Sequence, residues 1–296
     1  MAALRAASAI AIALVGGCIS LDEGSTTQEA GTHNRLATNR LATNRLATNR
    51  LATNRLATNA LDSTRLTALA ETAQILETPE GRDVYSYVIS CALAENVTIS
   101  AVVPGAADTS PPDSNYTCLS GTCTFQGGLG LTPRWATHRL DNDGKGWMSA
   151  CLFARVNAND TSEAISLRGT NAGLAVSTDE AEIYTVEEGA FYGNLFNDLS
   201  EPIDWNACRG QGQASGEFGG LVLRDCAEED PATPGFTYCG FRYAGDCADF
   251  TPQFPSAYAC SSYEGGVYGD CHGSPALGKW RHETRYREVI TSYVSP

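Results

Sequence analysis

Positive charge is scarce in this sequence. The 296 residues hold 20 lysines and arginines against 34 aspartates and glutamates, and the formal net charge is −14 at pH 7. Residues 1–60 have six arginines and three acids, a balance of +3, so residues 61–296 carry the remaining −17. Phosphate binding needs clustered lysines and arginines. The composition therefore argues against nucleic acid as a partner and indicates a self-repelling, soluble surface.

The sequence also lacks the spacings that mark common metal and catalytic sites. It has no Cys-x-x-Cys pair, no His-x-x-x-His pair, no Gly-x-Ser-x-Gly elbow and no phosphate-binding glycine loop. The segment Asp141-Asn-Asp143-Gly resembles the opening of a calcium loop. However, Lys145 stands at the fifth position and Leu152 at the twelfth, where a bidentate glutamate is required. We therefore interpret it as a turn before a helix, and we expect no metal and no cofactor.

No apolar run is long enough to span a bilayer. The first one, Ala6–Val15, is short, follows the basic start Met1–Arg5 and is followed by Gly-Gly-Cys18. This is the layout of a secretory signal peptide over residues 1–17, and its end resembles the lipobox of bacterial lipoproteins. The resemblance implies cleavage before Cys18, lipidation of its thiol, acylation (palmitate) of the new N-terminus, and anchoring in the outer membrane or at the cell surface. The alternative is an ordinary signal peptide with a cysteine nearby.

The number of cysteines supports export. The chain has 11, and removing Cys18 leaves an even set of ten. An even set in an exported protein predicts disulfides, here five. A reactive thiol is the alternative, with Cys271-His272 as its one adjacent pair, but adjacency in sequence is not the geometry of a catalytic dyad. The disulfide candidates are Cys91, Cys118, Cys123, Cys151, Cys208, Cys226, Cys239, Cys247, Cys260 and Cys271.

A tandem repeat follows the predicted anchor. Asn-Arg-Leu-Ala-Thr occurs five times without change over residues 34–58, and the leucines recur at every fifth position. On a helix each step of five advances 140°, so the leucines alone form no apolar stripe. The segment resembles pentapeptide-repeat solenoids, although it would make fewer than two coils. We therefore predict that residues 18–61 are a lipid anchor with a mobile tether, and a short solenoid or helical stalk is the alternative.

The remaining chain predicts one α+β domain. Residues 62–205 contain helical spacing around residues 66–76, a helix capped by Thr78-Pro79 and ending near Cys91, and a third helix on Trp147, Ala150, Cys151 and Ala154. Strands are predicted at 97–103, 164–168 and 285–294, and a hairpin at Cys118–Cys123. Residues 206–296 hold six of the ten cysteines with many glycines, prolines and tyrosines. We expect them to be the cysteine-rich, mostly irregular or β part of the same domain, held by disulfides.

The richest group of acids lies at residues 179–188. Ser177-Thr-Asp-Glu180 is a capping box, which predicts a helix that runs toward Phe196. Glu187 and Glu188 stand beside Phe191 and could serve acid/base glycoside chemistry if one were desolvated. The simpler interpretation is a solvated helix N-terminus, where the dipole favours acids. We keep Glu187 and Glu188 as candidate catalytic residues without deciding whether the protein is an enzyme.

Taken together, the lipobox, the leucine pentads and the cysteine-rich body resemble a group of uncharacterised lipoproteins of the kind found in myxobacteria. The resemblance rests on residues 147–155, 165–169 and 188–194, covers most of the body and implies no activity. Two functions follow from the sequence. The first is a surface-anchored binding or structural module for an envelope glycan or protein, with Tyr238, Tyr243, Tyr258, Tyr263 and Tyr268 as candidate contacts. The second is an envelope carbohydrate hydrolase that uses Glu187 or Glu188.

Overall fold

The computed structural model describes residues 50–61, 75–111, 114–157, 164–200, 204–211, 230–232, 234, 236–248, 259–272 and 285–296. The predicted signal peptide, Cys18, most of the repeat, Tyr258 and Cys226 lie outside the described residues. Helices and sheets are mixed along the chain and are joined by several disulfides, which confirms the α+β class. Within the described ranges, no helix combines the length and the apolar character that crossing a membrane requires.

The helices begin at residues suited to capping them. Helix α1 is Arg50–Ala57, α2 is Pro79–Ala92, α3 is Asn142–Ala154 and α4 is Thr178–Ile183. The Thr78 hydroxyl accepts a hydrogen bond from the Gly81 N–H at the start of α2, as its sequence predicts. Asp141 does the same for the Gly144 N–H at the start of α3. The aspartate of the calcium-like segment therefore caps a helix.

Within the described part of the chain, the strands form three sheets. Strands β1 (Thr98–Val102), β3 (Thr122–Gln126) and β2 (Thr117–Leu119) make a small antiparallel sheet in the order β1-β3-β2. The main sheet has five strands in the order β4-β11-β5-β6-β7, and all its pairs are antiparallel except β6 with β7. A third sheet has the order β10-β9-β8. The remaining bounds are β4 Ser166–Arg168, β5 Val186–Asn194, β6 Asp204–Arg209, β7 Arg242–Asp246, β8 Cys260–Glu264, β9 Val267–His272, β10 Arg285–Tyr286 and β11 Ile290–Val294.

The main sheet is covered on both faces. Helix α3 packs on one face, where Phe153 stacks on Trp205 with 4.6 Å between the ring centroids. The β8–β9 hairpin covers the other face, and a second buried cluster there includes Tyr192 and Tyr268. Strand β5 lies in the middle of the sheet and is therefore buried along nearly its whole length, including Glu187 and Glu188. Burial on both faces explains why β5 has no alternation of polar and apolar residues.

One predicted helix is wrong over most of its length. Ser177 does cap α4, since its hydroxyl accepts a hydrogen bond from the Glu180 N–H. The helix ends at Ile183, however, and residues 186–194 form β5. The strand is stabilised by pairing with β6 and with β11, about a hundred residues later. Pairing between distant segments overrides local helical signals, so Glu187 and Glu188 do not lie at a solvated helix N-terminus.

Disulfides lie in several parts of the described body. Cys91–Cys151 connects α2 to α3, and Cys118–Cys123 crosses the β2–β3 hairpin. Cys208–Cys247 joins β6 to the end of β7, and Cys260–Cys271 crosses the β8–β9 pair. Cys239 is disulfide-bonded as well. These bonds confirm that the body is held together by disulfides.

The body begins earlier than the sequence predicts. Leu56 and Leu61 are buried in the main hydrophobic core, together with Ala57. The Leu61 N–H donates to the Trp135 carbonyl at 2.9 Å. The start of the body, placed near Asp62 from the sequence, therefore needs correction, because residues 53–61 pack as part of it.

Candidate functional site

A β-bulge directs Glu187 toward the hairpin that covers the sheet. In the register between β5 and β11, Ser292 lies opposite Gly189 and Tyr293 lies opposite Glu187, so Glu188 is an extra residue. An extra residue in one strand changes which face the following side chains occupy. Glu187 consequently points away from α3 and meets the tyrosines of β8, β9 and β11.

Three tyrosine hydroxyls surround the Glu187 carboxylate. Tyr263 donates to Oε2 at 2.8 Å, Tyr293 reaches the same oxygen at 3.0 Å, and Tyr268 donates to Oε1. The backbone N–H of Gln211 also donates to Oε1, at 2.8 Å. Oε1 thus accepts two hydrogen bonds, and Oε2 accepts one from Tyr263 and lies within reach of the Tyr293 hydroxyl. We call Glu187, Tyr263, Tyr268 and Tyr293 the tyrosine cluster.

The turn between β8 and β9 contributes a backbone carbonyl to the tyrosine cluster. Glu264 pairs with Val267, so Gly265 and Gly266 form a two-residue hairpin loop with φ of +61° and +81°. Positive φ at both positions is the requirement of the favoured hairpin turn, and glycine meets it without strain. The Tyr293 hydroxyl reaches the Gly266 carbonyl at 2.8 Å. Since a hydroxyl has one hydrogen, Gly266 and Glu187 compete for the proton of Tyr293.

Arg168 lies against the outer side of the tyrosine cluster. Its guanidinium is 3.6 Å from the centroid of the Tyr293 ring, within the range of a cation–π contact. The same group donates to the Tyr184 carbonyl at 2.5 Å and to the Ser166 hydroxyl at 3.3 Å. These contacts hold the guanidinium beside the ring of Tyr293, whose hydroxyl contacts the Glu187 carboxylate.

The tyrosine cluster extends from the core to the surface. Glu187 is 5% exposed and Tyr268 is buried, whereas Tyr263 is 46% exposed. The Tyr263 and Tyr268 rings are in contact, with centroids 4.7 Å apart. Burial raises the pKa of all three tyrosines, and the hydrogen bonds and charge of Glu187 raise it further. Each hydroxyl therefore keeps its proton at neutral pH and can act as a hydrogen-bond donor.

Glu188, the second candidate acid, lies in the bulge and is 2% exposed. Its backbone carbonyl accepts a hydrogen bond from the Gly210 N–H at 3.0 Å. It is not among the described contacts of the tyrosine cluster. The structure therefore buries both candidate acids, and it places Glu187 among the three tyrosine hydroxyls.

The other tyrosines selected from the sequence are distributed differently. Tyr238 is 50% exposed. Tyr243 is half-buried, and burial together with Asp246 raises its pKa to about 12. Neither Tyr293 nor Arg168 was selected from the sequence as a site residue, because no motif surrounds either of them. The alternation of Thr291 and Tyr293 on one face of a predicted strand was the available signal.

Three cysteine sulfurs lie close enough to suggest a metal site. Atoms of Cys208, Cys247 and Cys260 are all within 4.8 Å of one another. Each of these cysteines is in a disulfide, however, and a disulfide sulfur is not the thiolate that a metal requires. The contact is instead the packing of one disulfide against another, with 3.8 Å between Cys208 Sγ and Cys260 Sγ.

Comparison of the chain with protein-family models, with curated proteins and with solved structures finds no match.

Proposed function

We propose that this protein is an exported, lipid-anchored module that binds an envelope glycan through the surface edge of the tyrosine cluster. The signal-peptide pattern and Cys18 support export and anchoring. The disulfides fit an oxidising compartment. The observation that carries the binding function is Tyr263, an aromatic ring that is half exposed yet fixed by its hydroxyl to a buried carboxylate.

A fixed aromatic ring is well suited to binding. Tyrosine offers a large contact surface, and it loses little conformational entropy when its side chain is already held in place. The Tyr263 hydroxyl is held by Glu187 and its ring rests on Tyr268, so the exposed face is held in one orientation. Arg168 lies against the ring of the neighbouring Tyr293 and adds a positive charge beside the tyrosine cluster. An apolar ring face beside planar polar groups matches the apolar face and hydroxyl rim of a sugar.

The geometry favours binding over hydrolysis. A glycosidase needs one carboxylic acid that protonates the leaving oxygen and a second carboxylate at a defined separation. Both oxygens of Glu187 already accept hydrogen bonds, and the described donors are tyrosines and a backbone N–H. Glu187 thus has a structural role in the tyrosine cluster, because its carboxylate orients the three tyrosine rings.

The size of the exposed edge favours a sugar over a protein. A stable protein interface covers roughly 800 Å² on each partner. The exposed part of the tyrosine cluster is essentially one ring, Tyr263, next to buried neighbours. One ring is enough for a single sugar unit, and a polymer would gain affinity from repeated contacts with many anchored copies.

Binding of the full-length protein to peptidoglycan and to a panel of envelope polysaccharides tests this proposal. We expect Tyr263→Ala to weaken glycan binding by roughly tenfold or more, which is the usual effect of truncating a central aromatic contact. Tyr263→Phe separates the ring from its hydroxyl and should retain part of the binding. Tyr238→Ala is the matched control, because Tyr238 has a similar exposure but is not in the tyrosine cluster.

Two results would overturn the proposal. The first is a wild-type protein that binds none of the glycans while it captures an envelope protein through Tyr263. The second is turnover of a glycan that Glu187→Gln or Glu188→Gln abolishes, since this would establish the hydrolase instead.

A further inference from the structure

The end of the repeat occupies a defined place on the body. Residues 53–61 comprise the end of α1 and the four residues after it. Five of them are buried, namely Thr53, Leu56, Ala57, Ala60 and Leu61. The leucines alone do not share a helical face, but Thr53 and Ala57 complete a contact surface with Leu56. The packed unit is therefore one copy of the repeat, residues 54–58, together with the threonine before it and the three residues after it.

The hydrogen bonds of this unit scarcely depend on which copy is bound. The Leu140 N–H donates to the Ala57 carbonyl at 3.0 Å, and the Trp135 indole N–H donates to the Asn59 carbonyl at 2.9 Å. The Leu61 N–H donates to the Trp135 carbonyl. All three use backbone atoms of the repeat, which every copy provides. The side-chain bond from the Asn54 amide to the Asn197 carbonyl also uses a residue present in every copy.

A shift of the repeat by one copy would bring residues 48–56 into the place of residues 53–61. The two segments read Thr-Asn-Arg-Leu-Ala-Thr-Asn-Arg-Leu and Thr-Asn-Arg-Leu-Ala-Thr-Asn-Ala-Leu. They are identical except at one position, where Arg55 would replace Ala60. The shift would also lengthen the connection to α2 by five residues, which changes the entropy of loop closure only slightly. Neither the other side chains nor the connection fixes the register.

Ala60 is 4% exposed. An arginine at this position would have to bury its charged group against the body, and burying an unpaired charge is strongly unfavourable. Every perfect copy has an arginine here, namely Arg35, Arg40, Arg45, Arg50 or Arg55. We infer that Ala60 sets the register in which the repeat binds the body, so that copies can be gained or lost upstream without changing the folded part. This inference does not depend on the glycan proposal.

The inference is tested by moving the alanine within the repeat of the full-length protein. Ala60→Arg should expose residues 53–61 and raise the exchange rate of the Leu61 amide about tenfold or more, as expected when a charge is forced into a buried site. The double variant Ala60→Arg with Arg55→Ala restores an alanine one copy earlier. We expect it to recover the unfolding midpoint of the wild type with the register shifted by five residues. In that register the Leu61 amide stays fast-exchanging although stability is restored.

The matched control combines Ala60→Arg with Arg139→Ala, which removes a positive charge from an exposed residue outside the repeat. This control should remain as unstable as Ala60→Arg alone. Two results would overturn the inference: Ala60→Arg with unchanged exchange at Leu61, or a double repeat variant no more stable than the control. Hydrogen exchange read by mass spectrometry distinguishes these outcomes even if Ala60→Arg lowers the yield of folded protein.

Discussion

The Tyr268 hydroxyl donates a hydrogen bond to the Glu187 carboxylate, although the two residues belong to different sheets. Tyr263 and Tyr293 reach the same carboxylate from β8 and β11. One acid thus connects the main sheet to the hairpin that covers it. Hydrogen bonds to a buried charged group are stronger than those between neutral groups, so Glu187 contributes to stability as well as to the orientation of the rings.

Replacing this acid should destabilise the protein. We expect Glu187→Gln to lower the free energy of unfolding by about 2–3 kcal/mol, because charge-assisted bonds are lost and an amide N–H₂ must face hydroxyl donors. Urea denaturation followed by circular dichroism measures the change. Glu264→Gln, in the exposed end of β8, is the control and should fall within about 0.5 kcal/mol of the wild type. Equal effects for the two variants would contradict the anchoring role of Glu187.

Stability should decline at high pH because of the same tyrosines. The pKa of Tyr268 is raised in the folded state, first by burial and then by Glu187. The unfolded value is about 10. The stabilisation is therefore fully present below pH about 10 and is lost as the pH rises above it. Each such tyrosine steepens the decline by about 1.4 kcal/mol per pH unit.

Comparison with a phenylalanine variant isolates this effect. Unfolding free energies of the wild type and of Tyr268→Phe should be measured between pH 8 and pH 11. The variant is expected to be less stable at pH 8 but to decline less steeply above pH 10. Parallel curves for the two proteins would show that Tyr268 does not titrate with a raised pKa.

The disulfides should differ in their contribution according to the loops that they close. Cys91–Cys151 spans 60 residues, whereas Cys118–Cys123 spans 5. Loop-closure entropy predicts a loss of about 4 kcal/mol when the first is replaced by alanines and about 2 kcal/mol for the second. Denaturation of the two double-alanine variants tests this order. A larger loss for the hairpin pair would mean that strain or strand pairing outweighs loop entropy there.

The proposed anchor has a direct test at Cys18. We expect Cys18→Ala to leave the precursor uncleaved or to release the protein from the membrane fraction, because the acyl chains attach to that thiol in the lipoproteins that the sequence resembles. Fractionation with metabolic labelling by palmitate measures both effects. A variant that is processed and retained like the wild type would refute the lipid anchor.

The sequence predicts the parts of this fold that depend on nearby residues. Thr78 marks a helix start because capping involves residues three positions apart, whereas Asp141, assigned from the sequence to a turn, is found to cap α3. The β2–β3 hairpin is predictable from the short spacing of Cys118 and Cys123. Local signals failed at β5, where the acids after the α4 cap continue a helical pattern while the actual partner, β11, lies a hundred residues away.

In the candidate site, too, features that depend on nearby residues are predictable and features that depend on distant pairing are not. Glu187 is recognisable from the sequence as an acid beside aromatic residues, but its bulge depends on the register with β11. Tyr293 joins the tyrosine cluster because β11 pairs with β5, and Arg168 lies beside it because β4 pairs with β11. The packing of residues 53–61 was also unpredictable, since five identical copies give no indication that the end of the repeat differs from its beginning.

The position of β11 has a consequence for the order in which the fold can be completed. This strand lies between β4 and β5, inside the main sheet, and it also supplies Tyr293. A ribosome must therefore reach residue 294 before β4 can join the sheet and before the Glu187 carboxylate acquires all its donors. Until then the nascent chain has no completed central sheet.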